Sequence, residues 1–260
     1  MAFDGASIWI ANTGSNSVMK LDASDGSSLG TFTVGSHPQA VAFDGANIWV
    51  TNQGSGNVSK LRASDGANLG SFAAGLNPVG VAFDGTNIWV ANNGANNVTK
   101  LRASDGSNLG TFPVGTHPQS VMFDGTNIWV ANTGSNNVTE LRASDGSNLG
   151  TFAAGPGPWG LAFDGANIWV TNFNSSKVTK LAASNGALLG NFAVGSQPEG
   201  VAFDGANLWV ANSNNTVTEL RASDGTNLGT FAVGGGPVGV AFDGANIWVA
   251  NRLSNTVSKL

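Results

Sequence analysis

The tripeptide Phe-Asp-Gly begins at Phe3, Phe43, Phe83, Phe123, Phe163, Phe203 and Phe242, spaced by 40 residues except for a last interval of 39. A period this regular over 260 residues means an array of near-identical units. The short interval has a local cause. Four residues separate Asn212 from Val217, where five separate Asn92 from Val98. Within the second copy, four short runs read as strands: Val41 to Asp44, Ile48 to Asn52, Val58 to Ala63 and Leu69 to Ala73. They are rich in Val, Ile, Trp, Phe and Thr, which suit a pleated, half-buried surface. Turn signals divide them: Asp44-Gly45, a Gly/Asn/Ser loop, Asp65-Gly66, and Gly75 to Pro78. Glycine after aspartate accepts the positive φ of a tight hairpin without a Cβ clash. No stretch sustains a 3.6-residue apolar period, so no helix is expected.

Four antiparallel strands every 40 or so residues make one blade of a β-propeller. A lone blade has two apolar faces and cannot cover both; stacking blades covers them. Trp9, Trp49, Trp89, Trp129, Trp169, Trp209 and Trp248 share one position in the second strand and are expected to pack blade on blade. The expectation is an all-β single domain over residues 1–260, with seven blades of four antiparallel strands and the last blade lacking its outer strand. The first blade has only a stub, Met1 to Asp4, for its inner strand, and the last ends at Leu260. Two readings of that end stand side by side. One is a monomer whose last blade has three strands. The other is self-association through the open C-terminal edge, Asn255 to Leu260, since an unpaired edge is a template for strand addition.

The run IWVTNQGSGNVSKL, followed by a Gly-Pro-type loop and GVAFDG, resembles the YVTN repeat and the wider group of NHL-like and streptogramin-lyase-like propellers. The resemblance covers essentially the whole chain, one copy per blade. It implies a propeller, and a secreted or cell-surface setting. A streptogramin-lyase likeness would imply metal-assisted elimination by converging His and Glu. A lactonase-type likeness would imply a metal held by acidic and Asn side chains. The residues supply neither set. Histidine occurs only at His37 and His117, two blades apart, and glutamate only at Glu140, Glu199 and Glu219. Glu140 and Glu219 share a third-strand position with Lys20, Lys60, Lys100, Lys180 and Lys259, which reads as a solvated site. No enzyme activity, cofactor or metal site is therefore expected.

Composition narrows the partners. A formal charge of −5 and a pI near 4.8, with 11 dispersed cationic residues, argue against nucleic-acid binding. No apolar run approaches a membrane span, and MAFDGASIWI is not a signal peptide. Cysteine is absent, so disulfides and thiolate metal sites are excluded. Sequons at Asn57, Asn97, Asn137, Asn174 and Asn214 arise where Asn-rich loops meet a strand and read as incidental. The near-identity of the copies points to recent amplification or to design from a consensus.

The copies differ from one another on one face. The two Asp-rich turns of each blade are nearly constant and read as capping turns rather than calcium sites. The loops before the inner strands diverge around a constant proline, and the residue after that proline should lie near the mouth of the central channel. The candidate ligand-binding residues are His37, Gln39, Asn77, Val79, His117, Gln119, Trp159, Gln197, Glu199 and Val238. The opposite loops add Phe173, Lys177, Arg252 and Leu253. Loops on a rigid scaffold carry binding residues, although they also tolerate drift. Trp159, an aromatic where other copies have Gln, Val or Glu, favours a site. The expected function is a non-catalytic scaffold or recognition module, its partner a protein or a small polar ligand such as a carbohydrate.

Overall fold

A computed structural model describes the whole chain, Met1 to Leu260. Seven antiparallel sheets follow one another, six with four strands and the last with three. There is no α-helix; Thr13–Ser15 forms a single 3-10 turn. Every strand pairs with its neighbour in sequence, so each blade is a simple meander. In the second blade the strands are Pro38–Phe43, Asn47–Asn52, Asn57–Arg62 and Asn68–Ala73, from inner to outer. The inner strand starts at the proline, three residues before the expected Val41, because pairing with the second strand continues past an irregularity between Val41 and Pro38. Thr51 Oγ1 accepts the Ala40 amide there at 3.0 Å, satisfying a donor that the irregular ladder leaves over.

The chain divides into two compact units, Met1–Val130 with Leu141–Ser147, and Ala131–Glu140 with Asn148–Leu260. In the first, Trp49 and Val58 of one blade pack on Ile88, Val90, Leu101 and Ala103 of the next. Trp9 and Val18 meet Val41, Ile48, Val50 and Leu61 in the same way. In the second, Trp169 and Val178 meet Leu208, Val210 and Leu220. The tryptophans thus form the blade seams, as expected. Second strands are buried along nearly their full length, while outer strands alternate between exposed and half-buried.

Each seam is completed by polar groups whose role is legible only in three dimensions. The Asp of the Phe-Asp-Gly turn accepts the indole Nε1–H of its own blade: Trp49 to Asp44 Oδ2 at 2.7 Å, with the same distance at Trp9, Trp89, Trp129, Trp169, Trp209 and Trp248. The other oxygen caps the turn, taking the Ala46 and Asn47 amides at 2.9 and 2.6 Å in the case of Asp44. Conservation of Asp-Gly among copies therefore reflects a structural double duty.

The third-strand charged position is buried in four of the seven copies, contrary to expectation, half-buried at Lys20 and Glu219, and exposed only at Lys259. Lys60, Lys100, Glu140 and Lys180 are buried. Lys60 lies over the Trp49 ring, 5.1 Å from its centroid, and donates to the Ala103 and Ser104 carbonyls of the next blade at 2.7 and 3.3 Å. Lys20, Lys100 and Lys180 repeat this. The long aliphatic stem covers apolar surface and the ammonium finds turn carbonyls instead of water. Sequence pattern marks a charged residue in a strand as outward-facing because it cannot see the neighbouring blade. The arginines two residues on are exposed, pairing with the following turn aspartates, as Arg62 does with Asp65 at 2.8 Å. Such exposed pairs contribute little.

Burial works against the charged forms of Asp44, Asp164, Asp204 and Asp243, but the indole and turn amides outweigh it. All four carboxyls lie below their ordinary value of 3.8, Asp243 at about 2. A depressed carboxyl binds its proton later in the folded state than in the unfolded chain, so stability drops as pH falls. The stabilisation is complete above about pH 4 and is lost on acidification toward pH 2. Thermal melts by circular dichroism at pH 7, 4, 3 and 2 should show a steep fall in Tm below pH 4. A profile flat down to pH 2 would contradict this account of the turns.

Candidate functional site

The loop that enters each inner strand is built on a fixed frame. Its first glycine lies against a buried Asn of the blade it is entering. A Cβ at Gly75 would come 2.5 Å from Asn92 Cγ, and Gly155 and Gly195 meet Asn172 and Asn212 alike. Asn92 Nδ2 donates to Asn97 Oδ1 and Thr99 Oγ1, both at 2.8 Å, which locks the carboxamide. The residue before the proline is left-handed at His37, Asn77, His117 and Gln197, with φ of 49 to 52°. The His37 and His117 amides are held by Asn16 and Asn96 Oδ1 at 2.9 Å. These side chains are exposed, and their backbone conformation is the part the fold requires.

In the first unit, the candidates find separate places. Gln39 is exposed and donates through Nε2 to Gln53 Oε1 at 2.9 Å. Gln119 is half-buried and accepts from Asn93 Nδ2 at 3.3 Å. Val79 is 5% exposed and packs with Trp89, Val121 and Val130, so it belongs to the core of that unit rather than to an open surface. Its carbonyl accepts the Thr51 hydroxyl at 2.8 Å.

The second unit brings several candidates together. Trp159 and Glu199 follow the prolines of two adjacent inner strands, Pro158–Phe163 and Pro198–Phe203. These strands approach so closely at Gly160 that a Cβ there would lie 2.4 Å from the Glu199 carbonyl oxygen. Thr171 bridges them, its hydroxyl donating to the Glu199 carbonyl at 2.6 Å while accepting the Gly160 amide at 2.7 Å. Trp159 is half-buried and stacks on Phe173, with centroids 5.2 Å apart and an interplanar angle of 29°. Val238 is half-buried on the inner strand that follows.

Glu199 is the unusual member. It is 5% exposed, yet its carboxylate has few partners. Ser213 Oγ lies 3.4 Å from Oε1 and also 3.1 Å from the Gln197 carbonyl, so one hydroxyl proton serves two acceptors. The Arg252 guanidinium is 4.0 Å from Oε1 and itself largely exposed. Burial pushes the Glu199 carboxyl above its ordinary value, opposed by the Arg252 charge and the Ser213 hydroxyl. Ser213 is the contributor that sequence comparison passed over. Its signal was the spacing, since in three blades the residue after the second-strand Asn faces the residue after the proline of the same blade: Gln53 with Gln39, Phe173 with Trp159, Ser213 with Glu199. No three His, Asp or Glu side chains converge anywhere in the way a metal centre requires.

The three-dimensional comparisons bear on the fold. A chain of the hydrazine synthase of Kuenenia stuttgartiensis is similar over 100% of this chain and 94% of its own, with a TM-score of 0.89 and 20% identity. The fold is that of a β-propeller. Streptogramin B lyase is similar over 99% of this chain and 91% of its own, with a TM-score of 0.83 and 18% identity. At such identities the likeness concerns architecture and carries no chemistry across. No protein-family model matches the chain, and no curated protein matches its sequence. The resemblance of the repeat pattern to streptogramin-lyase-like propellers thus finds its counterpart in shape, while the YVTN and NHL likeness rests on the motif itself.

Proposed function

We propose that this propeller is a non-catalytic recognition module, and that its second unit binds a small hydroxyl-rich ligand of the carbohydrate class on the loop face. The observation that carries this reading is Glu199, a buried carboxylate with lone pairs to spare beside an exposed guanidinium. A carboxylate in that state is costly to keep unless something donates to it. Sugar hydroxyls would donate to Glu199 and accept from Arg252, and the open part of the Trp159 ring would meet an apolar sugar face. Phe173 holds the indole in place, so little side-chain freedom is lost on binding.

The test is a thermal-shift and calorimetric survey of mono- and oligosaccharides against the full chain, repeated with Trp159→Ala and Glu199→Gln. A ligand that stabilises the parent and no longer stabilises either variant is the expected result. If no sugar binds, or if both variants respond as the parent does, the reading fails.

Glu199→Gln has a second expected outcome that needs no ligand. A carboxyl raised by burial binds its proton more readily when folded, so its charged form opposes folding at pH 7 and ceases to do so below the ordinary value of 4.5. The variant should melt a few degrees above the parent at pH 7, and the gap should close near pH 4. A variant that melts lower at pH 7 would show that Glu199 is a net structural contributor, not a group held ready for a ligand.

A further inference from the structure

Asn-Gly occurs twice in the chain, at Asn93-Gly94 and Asn185-Gly186, and the fold treats the two differently. Asn185 lies in the turn between the strands Lys177–Ala182 and Leu188–Ala193. Five other copies carry aspartate there, at Asp25, Asp65, Asp105, Asp145 and Asp224. The carboxamide imitates them: Asn185 Oδ1 accepts the Ala187 amide at 3.0 Å, as Asp65 Oδ1 accepts the Ala67 amide at 3.0 Å. The charge partner is absent as well, since Ala182 stands where Arg62, Arg102, Arg142 and Arg221 pair with their turn aspartates.

That hydrogen bond folds the side chain back along its own main chain, which brings Cγ toward the amide nitrogen of Gly186. It also sets a backbone N–H on the oxygen that turns negative when Cγ is attacked. Asn185 is exposed, and its Nδ2 is free of protein acceptors. The Gly186 amide donates to the Ala182 carbonyl at 2.8 Å, a bond inside one turn that local fluctuation opens. Asn93 is the contrast. It is half-buried, and its Nδ2 lies 3.3 Å from both the Pro118 carbonyl and Gln119 Oε1. The Gly94 amide is tied to the Leu76 carbonyl of another loop at 3.0 Å. Other segments thus hold both the nitrogen that would leave and the nitrogen that would attack.

We propose that Asn185 is a modification site at which the folded chain deamidates itself, with water as the only co-reactant. The Gly186 nitrogen loses its proton to hydroxide and forms a bond to Cγ. The Cγ–Nδ2 bond breaks, and the nitrogen takes up a proton and leaves as ammonia. Water then opens the cyclic imide. Attack at Cγ releases the Gly186 nitrogen and leaves an ordinary aspartate, whereas attack at the main-chain carbonyl leaves isoaspartate, with an extra methylene in the main chain. Gly186 selects between them. It is buried with φ of +68°, and a Cβ on it would fall 2.1 Å from the Phe152 ring. A lengthened main chain would unseat it, so aspartate is the product the folded turn accommodates. Conversion installs the residue of the five other copies without an arginine beside it, and makes the formal charge of −5 more negative by one. The site shares no residue with the loop-face site, so either reading can fail alone.

The test holds the full folded chain in warm, mildly alkaline buffer beside a guanidinium-denatured sample, and follows both by peptide mapping with mass spectrometry. In the folded protein the peptide containing Asn185 should acquire the mass of the aspartate form, while Asn93 reacts at least about tenfold more slowly. The denatured chain should convert both at similar rates, which assigns the difference to the fold. On ion exchange the more acidic species should co-elute with the Asn185→Asp variant. An Asn185 still intact in the folded protein after the denatured chain has converted, or equal rates at Asn185 and Asn93 in the folded chain, would overturn the proposal. A predominance of isoaspartate in the folded protein would overturn the role given to Gly186.

Discussion

Replacing Trp89 with alanine is expected to lower the unfolding free energy by about 4 kcal/mol, in the range for deleting a large buried aromatic. Three losses combine at this position. The indole is fully buried against Val79, Val98, Val121, Ile128, Val130 and Leu141, so its removal opens a cavity across a seam between two blades. Asp84 loses the Nε1–H that it accepts at 2.7 Å, although it keeps the Thr86 and Asn87 amides. Lys100 loses the ring beneath its ammonium, 5.0 Å from the centroid, while keeping the Ala143 carbonyl. Trp89→Phe retains most of the apolar contact but gives up the hydrogen bond, and should cost about half as much. Guanidinium denaturation of both variants measures the difference. A cost below about 1 kcal/mol for alanine would mean that the seams are not what holds the blades together.

Gly106→Ala is expected to cost about 3 kcal/mol although it adds a single methyl group. The residue has φ of +75°, a left-handed conformation that penalises any Cβ by about 1–2 kcal/mol. The new atom would also fall 2.0 Å from the Phe72 ring of the preceding blade, and that ring is held between the glycine and Trp49. Gly85→Ala provides the internal control. Its φ is +94°, but no atom lies within 4 Å of where the Cβ would go. Only the backbone term applies there, so about 1–2 kcal/mol is expected. The gap between the two variants isolates the contact between blades. Equal losses would reduce the constant Asp-Gly of this turn to hairpin chemistry alone.

The candidate site was partly legible in the sequence. Trp159 and Glu199 stood out because one loop position varies among copies that are otherwise alike, and the structure sets them on adjacent inner strands with Phe173, Ser213 and Arg252 around them. The same signal also selected Val79, which is buried in the core of the first unit. Variation among copies marks where the fold permits change, and it does not distinguish a position that opens to solvent from one that a smaller neighbour allows to sink. His37, Asn77, His117 and Gln197 illustrate the opposite case. Their side chains are exposed, and what the site demands of them is a left-handed backbone that residue identity only suggests.

The sequence by itself determined the period, the number of blades, the strand order and the tryptophan seams. Those features repeat with the chain, and alternation of apolar residues with Asp-Gly turns encodes them locally. Tertiary structure alone decided the partners across each seam. The lysine reaching carbonyls 43 residues away and the turn glycine seated on a neighbouring phenylalanine have no local signature. Each depends on the distance between two blades. A repeat shows what one blade contains, whereas the burial of a charge or an aromatic face is settled by the blade stacked against it.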